Sequence, residues 1–436
     1  MVKEPVMSRS ELEEHQNKLI RRVVKLAYNT RVYRRKFDEA GLKPSDIRTT
    51  EDLVKLPFSS KVDLVSDYMG AVGDPSDISV FHTTSGTSGT PTVVCFTNND
   101  VEVQISLEAR NLLTAGFRKG DVVQNTTPYG MFFAGIDIHE AARRIGAVVV
   151  PAGKQPTAKQ QAWIINFFRP TGLIGIPQFI LKWGYVYEEL FGDPKEVGLK
   201  KVYALGEPLP EEKRKRIEDI WGAEVRVGYG LTEAGSGGEC EERYGVHWPE
   251  DHTFVEVVDP ETGERLGEGE KGELVFTTLT RTGTLALRYR SRDYSCIIED
   301  KCSCGRVTRR VLPPEYRLDG LIKIKGALTS PFAIDAAVFR HEGVRDYLLV
   351  IREENGADRI DLFIDADEDK PEILASLAER LGGVVCFTPT FVHRVDKGGI
   401  PEIGRKAKKV IDLRGQTEYD EALKSFLEKY REKLTT

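Results

Sequence analysis

The chain has 436 residues, of which 40% are hydrophobic and 30% are charged, and its formal net charge is −6. This composition is ordinary for a globular protein of two or three domains, and it gives no general reason to expect nucleic-acid binding. The polar N terminus is not a secretory signal, no apolar run is long enough to span a bilayer, and six cysteines suit a reducing compartment, so we expect a cytoplasmic protein that binds no membrane.

The predicted elements change character twice along the chain. The segment up to about residue 45 is predicted to be helical. Beyond Pro57, apolar strands such as AVVVPAG alternate with amphipathic helices such as VEVQISLEARNLLTAGF. From about Trp248 the stretches FVEVVD and GELVFTTLT are typical of strands, and a compact α+β unit is predicted after Pro314. The pattern predicts an α/β fold with a mostly parallel sheet and a β-rich subdomain at about 240–312.

The stretch TTSGTSGTPTVV, from Thr83 to Val94, lies between two predicted strands. It is either a plain hairpin turn or a phosphate-binding loop, in which small residues let N–H groups and hydroxyls converge on an anion. It is not a Walker loop, because Pro91 stands five residues after Gly86 and no lysine follows. The second glycine cluster, EAGSGGEC, has Cys240 where a dinucleotide fingerprint needs its third glycine. A phosphate site here therefore belongs to another fold.

Five further short motifs follow this stretch along the chain, and their order is informative. They are GEP (Gly206–Pro208), YGLTE (Tyr229–Glu233), YRSRD (Tyr289–Asp293), YRLDGLIKIKG (Tyr316–Gly326) and GRKAKKVID (Gly404–Asp412). Together they resemble the adenylate-forming superfamily of acyl-CoA ligases, and specifically its phenylacetate–CoA ligase branch, which PYGMFFAG and CSCGR also resemble. The resemblance implies a large N-terminal domain (1–314) that binds ATP and the acid, a hinge (315–319), and a small mobile α+β C-terminal domain (320–436).

The resemblance also implies three groups of nucleotide-binding residues. Those that would close over the β- and γ-phosphates of ATP are Thr83, Thr84, Ser85, Gly86, Thr87, Ser88 and Gly89. Those that would hold adenine are Gly206, Glu207, Pro208, Tyr229 and Gly230. Those beside the ribose are Asp293, which would accept hydrogen bonds from the hydroxyls, and Arg317.

Four residues would carry the chemistry and the domain movement. Thr232 would contact the α-phosphate, and Glu233 would hold Mg²⁺, because carboxylate oxygens suit a hard cation that also binds phosphate. Lys406 would neutralise the charge that grows as the acid attacks phosphorus. Asp319 falls at the hinge about which the small domain would rotate.

Three residues depart from the family pattern. Thr90 stands where many relatives have lysine or arginine, Gly320 where a second acid is common, and Arg405 where glycine usually precedes the lysine. These departures bear on the rate of adenylation and on the placement of the small domain. They slightly favour the alternative of a catalytically silent nucleotide-binding protein.

The acyl pocket is expected from PYGMFFAG and GIPQF. Its candidate residues are Tyr129, Phe132, Phe133, Ala134, Ile176 and Gln178. If the aromatic side chains face the ligand, an aryl or other bulky apolar acid fits best. The alternative is that the two adjacent phenylalanines simply fill the core.

A set of metal-ligating residues lies outside the shared motifs. Cys240 and His247 are followed, far along the chain, by Cys302 and Cys304. Three thiolates and one imidazole are the ligand set of a closed, structural Zn²⁺ site. The alternative is four reduced, partly buried side chains.

The implied reaction has two halves. A carboxylate attacks the α-phosphate of ATP to give acyl-AMP and pyrophosphate, and the thiol of CoA then displaces AMP. Two variants stay open: an adenylyl transferase that leaves AMP on a deazaflavin hydroxyl, and an enzyme that loads the phosphopantetheine arm of a carrier protein. The identity of the acid is undecided by the sequence, and for oligomeric state it offers only the general frequency of homodimers.

Overall fold

A computed structural model of the chain describes residues 7–84, 91–298, 300–354, 356–367, 372–385, 387–404, 407–416 and 420–430. No helix within these ranges is both long and apolar enough to cross a bilayer. The predicted α/β class is confirmed.

The α-helices among these residues carry apolar stripes that pack on sheets. In chain order they are α1 (Arg9–Tyr28), α2 (Arg31–Glu39), α3 (Lys61–Ser66), α4 (Asn98–Thr114), α5 (Phe133–Arg144), α6 (Ala158–Phe168), α7 (Pro177–Phe191), α8 (Glu211–Trp221), α9 (Pro331–Phe339), α10 (Glu372–Val384) and α11 (Glu421–Lys429). Helix α4 begins at a capping box, in which the Thr97 hydroxyl accepts from the Asp100 backbone N–H and the Asp100 carboxylate accepts from the Thr97 N–H.

The strands are short, and most are buried on both faces. In chain order they are β1 (Ile78–Thr83), β2 (Val93–Thr97), β3 (Val122–Asn125), β4 (Val148–Val150), β5 (Gly172–Gly175), β6 (Lys201–Leu205), β7 (Glu224–Leu231), β8 (Gly235–Glu239), β9 (Val246–His247), β10 (Thr253–Val258), β11 (Gly272–Thr278), β12 (Tyr289–Ser295), β13 (Ile297–Ile298), β14 (Arg310–Val311), β15 (Tyr316–Arg317), β16 (Ile322–Ile324), β17 (Ala327–Thr329), β18 (Val344–Glu354), β19 (Ala357–Ala366), β20 (Phe391–Arg394) and β21 (Val410–Asp412).

A nine-stranded sheet forms the centre of the large domain. Its strand order is β4-β3-β5-β6-β7-β8-β9-β14-β13, and the run from β4 to β7 is parallel whereas every pairing from β7 to β13 is antiparallel. The parallel half reads as apolar runs because helices cover both of its faces. The carboxyl ends of β6 and β7 consequently open at one edge, where ligands of open α/β sheets bind.

Two smaller antiparallel structures flank this sheet. Strands β1 and β2 form a hairpin, and β10, β11, β12 and β15 form a four-stranded sheet in that order. The latter pairs Asp293 on β12 with Arg317 on β15. The β-rich character expected from the sequence is thus shared between this sheet and the antiparallel half of the central one.

The C-terminal unit has its own sheet, in the order β20-β19-β18-β21, covered by α10 and α11, with a β16–β17 hairpin at its start. It packs on α7 and α8 of the large domain through an apolar cluster that contains residues of both, including Trp221 and Phe339. A buried ion pair joins Lys213 on α8 to Asp335 on α9, with Nζ and Oδ2 2.6 Å apart. The two units are therefore closely docked.

Candidate active site

The segment predicted to hold adenine lies at the carboxyl end of β6. Gly206 has φ +90°, a conformation that glycine adopts without steric cost, and this residue turns the chain out of the strand. The backbone N–H of Gln178 donates to Oε1 of Glu207 at 2.9 Å, which ties the turn to the first turn of α7. Pro208 follows, and Ile176 lies beside Gly206.

The predicted ribose-binding acid is buried in a line of hydrogen bonds. Tyr229 on β7 donates to Oδ2 of Asp293 at 2.7 Å, and Nη1 of Arg317 lies 3.4 Å from the other carboxylate oxygen. Arg317 also donates from Nε to Asp319 at 2.9 Å. Burial raises the pKa of Asp293 to about 6, although Arg317 and the Tyr229 hydroxyl both act in the opposite direction.

The predicted magnesium-binding acid follows β7 in the turn to β8. Tyr289 on β12 donates to Oε1 of Glu233 at 3.0 Å. Glu233 is 6% exposed, and burial raises its pKa because the carboxylate has lost water without gaining a full counter-charge. The carbonyls of Thr232 and Glu233 both accept from Nη1 of Arg281, at 2.8 and 3.0 Å.

The two acids are held by crossed contacts between the same two segments. Tyr229, from β7, binds the acid on β12, whereas Tyr289, from β12, binds the acid after β7. Each tyrosine precedes an acid by four residues in the sequence, in YGLTE and in YRSRD. Sequence reasoning assigned no role to Tyr289 or Arg281; the repeated four-residue spacing could have indicated Tyr289, but no motif marks Arg281.

The hydroxyl-rich stretch connects the strands of the β1–β2 hairpin. Thr83 closes β1 and its N–H donates to the carbonyl of Met131 at 2.8 Å, while the Thr84 hydroxyl accepts from the N–H of Thr92 at 3.1 Å. The structure therefore places the ends of this stretch on a hairpin beside the PYGMFFAG segment. The remaining predicted phosphate-loop residues, which are Ser85, Gly86, Thr87, Ser88 and Gly89, lie outside the described residues, as does Thr90.

The predicted acyl-pocket residues fall into two places. Tyr129, Phe132, Phe133 and Ala134 are all half-buried and lie between β3 and the start of α5. The Tyr129 hydroxyl accepts from Asn125 at 3.1 Å and lies 3.1 Å from Nδ1 of His139. The Gln178 amide donates to Asp346 of the C-terminal unit at 3.1 Å, so in this structure it also contributes to the contact with that unit.

Comparison with known proteins decides the family. The family model of AMP-binding enzymes matches residues 7–282. Phenylacetate–coenzyme A ligases of Thermus thermophilus and Escherichia coli are 36% and 33% identical to the chain, over 83% of both proteins in the first case and over 93% of this chain and 95% of its relative in the second. The chain belongs to the phenylacetate–CoA ligase branch of that family. It is an AMP-forming acid–CoA ligase, which confirms the resemblance seen in its motifs.

Solved structures of a 2-hydroxyisobutyryl-CoA ligase are similar to this ligase along nearly its whole length. The postadenylation state has a TM-score of 0.85 at 25% identity, covering 99% of this chain and 94% of that one. The thioesterification state has a TM-score of 0.68 at 24% identity, covering 99% and 96%. The fold of this ligase is thus more similar to the postadenylation structure than to the thioesterification structure.

The segment of the ligase that carries the predicted adenylating lysine is described only in part. Lys406 and its neighbour Arg405 lie outside the described residues. Nearby, Nζ of Lys409 is 2.7 Å from Asp346, the acid that also accepts from Gln178. Gly320 ends the short 3₁₀ turn that contains Asp319.

The four predicted metal ligands of the ligase, Cys240, His247, Cys302 and Cys304, meet in the antiparallel half of the central sheet. Their ligand atoms all lie within 4.8 Å of one another, with Sγ of Cys240 3.6 Å from Sγ of Cys302, and Sγ of Cys304 3.3 Å from Nε2 of His247. A tetrahedron with Zn–S bonds of about 2.3 Å has edges of about 3.8 Å, so these separations fit zinc. Nδ1 of His247 lies 3.1 Å from the Thr308 carbonyl, which orients Nε2 toward the sulfurs.

Proposed function

We propose that this ligase activates an aryl or arylacetic acid with ATP and passes the acyl group to CoA. The observation that carries the proposal is the crossed pair of buried acids, Glu233 and Asp293, each fixed by a tyrosine of the opposite segment. The arrangement supplies one acid for a metal and one for ribose hydroxyls at the edge where an open α/β sheet binds nucleotides.

Glu233 and Thr232 are the proposed groups around the reacting phosphorus. A magnesium ion held by Glu233 would neutralise charge on the phosphates and on the departing pyrophosphate. The burial of Glu233 fits this role, because a desolvated carboxylate gains most from a nearby cation. Thr232, directly before it, would donate from its hydroxyl to the α-phosphate.

Asp293 and Arg317 are the proposed ribose pair. The carboxylate accepts hydrogen bonds from the two ribose hydroxyls, and Arg317 favours its ionised form. Residues 206–208 and 229–230 hold adenine, and residues 83–89 close over the β- and γ-phosphates.

Lys406 is the proposed adenylating lysine, carried by a small domain of residues 320–436 that rotates about Asp319 and the rest of the 315–319 hinge against residues 1–314. The contact of Arg317 with both Asp293 and Asp319 supports a hinge beside the ribose site. The lysine neutralises charge during adenylation, and rotation then opens the path for the CoA thiol.

The acid is proposed to be aromatic because of the surroundings of Tyr129. Its hydroxyl already has two partners, Asn125 and His139, so the tyrosine would present its ring rather than a polar group. Phe132, Phe133, Ala134 and Ile176 are proposed to complete an apolar pocket, which an aryl acid fills and a short polar acid does not. Phenylacetate is the acid in the names of the relatives that share about a third of their residues with this ligase.

A structural zinc ion in the Cys240, His247, Cys302 and Cys304 cluster is also proposed. The set has four ligands, so it leaves no open position for a substrate. Metal analysis of the purified protein should give one zinc per chain, and a Cys302→Ser variant should lose it. A fully folded, zinc-free protein would contradict this assignment.

The test of the proposed function is pyrophosphate release from ATP and Mg²⁺ across aromatic and aliphatic acids, each with and without CoA. Release that depends on an aryl acid, with acyl-CoA appearing only when CoA is present, supports the proposal. Release without thioester points to a carrier protein or another AMP acceptor. No release with any acid, from protein that binds ATP, contradicts it.

Two coarser expectations also stay proposals. The cytoplasm is the proposed location, from the polar N terminus and the cysteine usage, and a homodimer is the proposed oligomeric state. Cell fractionation tests the first, and sedimentation of the purified ligase tests the second.

A further inference from the structure

Arg281 is a buried arginine that the proposed chemistry does not use. It is 9% exposed, and its guanidinium lies over the ring of Phe96, 4.5 Å from the ring centre. Its Nη1 donates to the backbone carbonyls of Thr232 and Glu233, at 2.8 and 3.0 Å. It thereby holds the main chain of the two residues that are proposed to contact the α-phosphate and the metal.

The backbone beside Arg281 is fixed to the hairpin that carries the hydroxyl-rich stretch. The Asp100 carboxylate accepts from the N–H groups of Thr282 and Gly283, at 3.0 and 2.7 Å. Thr284 and Cys95 on β2 exchange two hydrogen bonds, one from each N–H, both 2.8 Å long. A Cβ atom on Gly283 would lie 2.2 Å from the Cys95 carbonyl, so only glycine permits this approach.

The segment 281–284 therefore connects two parts of the proposed ATP site. One is the turn with Thr232 and Glu233, which Arg281 contacts through its side chain. The other is the β1–β2 hairpin, which Thr282 contacts through its hydroxyl and Thr284 contacts through its backbone N–H and its hydroxyl, while Gly283 packs against the Cys95 carbonyl.

We propose that Arg281 is a positioning residue for adenylation, which sets the magnesium-binding turn in one fixed place relative to the phosphate-binding hairpin. The inference rests on the proposed roles of Thr232 and Glu233. Pyrophosphate departs between these two segments, so an error in their relative position misplaces the metal and the leaving group. A displacement of about 1 Å at a reacting centre can cost about 100-fold in rate.

The chemistry of the arginine side chain suits this task. A guanidinium is planar, stays charged when buried and directs its N–H groups rigidly, whereas a lysine ammonium is a mobile point charge. Two buried acids, Asp100 and Glu233, lie near enough to compensate its charge. The stack on Phe96 fixes the plane of the group.

The ligase contains a matched control arginine. Arg288 is also buried, donates from Nη1 to two backbone carbonyls, those of Val54 and Leu56, at 3.1 and 2.9 Å, and lies over a phenylalanine ring, that of Phe58, at 4.1 Å. Its carbonyls belong to a segment outside the proposed site. Substitution of Arg288 should therefore destabilise the protein as substitution of Arg281 does, but it should leave the proposed magnesium-binding turn in place.

The experiment compares Arg281→Met, Arg281→Lys and Arg288→Met with the unaltered full-length ligase. Three quantities are measured for each: ATP–pyrophosphate exchange as a function of Mg²⁺, thioester formation from synthetic acyl-adenylate and CoA in a single turnover, and the melting temperature. Thioester formation from acyl-adenylate needs neither the metal nor pyrophosphate departure. A loss seen in the exchange reaction but not in thioester formation is therefore a loss of adenylation.

We expect Arg281→Met to slow adenylation by about 100-fold and to raise the Mg²⁺ requirement, while the thioester step changes by no more than about threefold. Arg281→Lys should recover about tenfold of the lost rate, because the charge returns without the fixed fork. Arg288→Met should lower the melting temperature by about as much as Arg281→Met does, and it should keep adenylation within about threefold of the unaltered rate.

Three results would overturn the proposal: an unchanged adenylation rate in Arg281→Met, a parallel loss in both half-reactions, or an equal loss in Arg288→Met. If none of the tested acids makes the unaltered ligase release pyrophosphate, the proposed function fails independently of the role of Arg281. Arg281 is then judged by Mg²⁺-dependent ATP binding, which Arg281→Met must weaken about tenfold more than Arg288→Met does.

Discussion

The two ends of the central sheet bind their proposed ligands in different ways. At the parallel end, the chain leaves β6 and β7 as turns; Glu233 follows β7, Asp293 approaches from β12 of the neighbouring sheet, and burial raises the pKa of both acids. At the antiparallel end, Cys240 and His247 approach each other along paired strands, and the Cys302–Cys304 turn completes the set.

A substrate site must release its ligand after each reaction, whereas a structural site must retain its ion. At the parallel end, Glu233 would gain a full counter-charge only when a metal binds with the nucleotide, so the site favours a ligand that can leave again. The antiparallel end brings all four of its ligand atoms from the chain, so a bound ion would stay. Substitutions at the parallel end should therefore lower mainly the reaction rate, and substitutions at the antiparallel end should lower mainly the stability of the fold.

The largest expected effect is on rate. Glu233→Gln removes the carboxylate that would hold Mg²⁺, and we expect pyrophosphate release to fall by about 1,000-fold with little change in melting temperature. Tyr289→Phe keeps the ring and removes only the hydroxyl donor to Glu233, so its effect should be smaller, about tenfold. Initial rates at saturating ATP measure both changes.

The matched control for this prediction is Glu241→Gln, which neutralises an acid with a 55% exposed side chain near the Cys–His cluster. Its rate should stay within about twofold of the unaltered value. A Glu233→Gln enzyme that retains its rate would show that this end of the sheet does not bind the catalytic metal.

The second effect is on stability. Cys302→Ser, or removal of zinc with a chelator, should lower the melting temperature by about 10 °C, because metal-binding energy at a structural site contributes directly to folding. The rate per folded molecule at a low assay temperature should change little. Cys296→Ser, which alters a buried cysteine outside the cluster, is the control and should shift melting by less.

If Cys302→Ser instead abolishes the rate, at saturating Mg²⁺, while the melting temperature is unchanged, the cluster is part of the active site. The contrast between the two ends of the sheet would then be wrong.

The third effect is a pH dependence confined to the parallel end. The pKa of Asp293 is raised to about 6, so the acid is protonated below that pH and accepts less strongly from ribose hydroxyls. The KM for ATP should therefore rise as pH falls through about 6, and Asp293→Asn should show a KM about tenfold higher that no longer follows pH in this range. Steady-state kinetics between about pH 5 and pH 8 would measure it. An equal pH dependence in the Asn variant would assign the titration to another group.

The smallest effect concerns a buried acid pair between the two ends. Asp137 on α5 has its pKa raised to about 8 by burial and by nearby Glu108, which in turn accepts from Ser236 on β8. Because the folded state holds this proton more tightly than the unfolded state, the stability that Asp137 contributes is present at low pH and is lost as pH rises toward about 8. Asp137→Asn should remove this loss and raise the melting temperature at about pH 8.5 by about 3 °C relative to the change at about pH 5. A constant difference between the two pH values would contradict the assignment.

Much of the fold could be predicted from residue patterns. Apolar runs such as AVVVPAG alternate with helical periods, and the structure turns them into the parallel half of the central sheet. The antiparallel half was harder, because β9, β13 and β14 have only two residues each and carry almost no periodic signal. Their pairing depends on contacts between segments that are distant in sequence.

In the candidate site too, residues marked by local motifs could be predicted, and residues defined by contacts between distant segments could not. Motifs indicated Glu233 and Asp293, whose roles need a particular side chain at a particular place in the chain. Arg281 escaped, because its partners are backbone carbonyls, which any residue at positions 232 and 233 would supply. Gln178 is predicted at the acyl pocket; its contact with Asp346 escaped prediction, because docking of the C-terminal unit cannot be read from the segment around Gln178.

The ion pair between Lys213 and Asp335 has a consequence for how often the docked arrangement opens. Both side chains are almost fully enclosed where α8 meets α9, so each has given up its water shell. Separating the helices would break the attraction but would also return that hydration to both groups, which offsets much of the loss. The ion pair can thus fix the geometry of the docked arrangement while adding little to its stability, which suits the proposed rotation of the small domain.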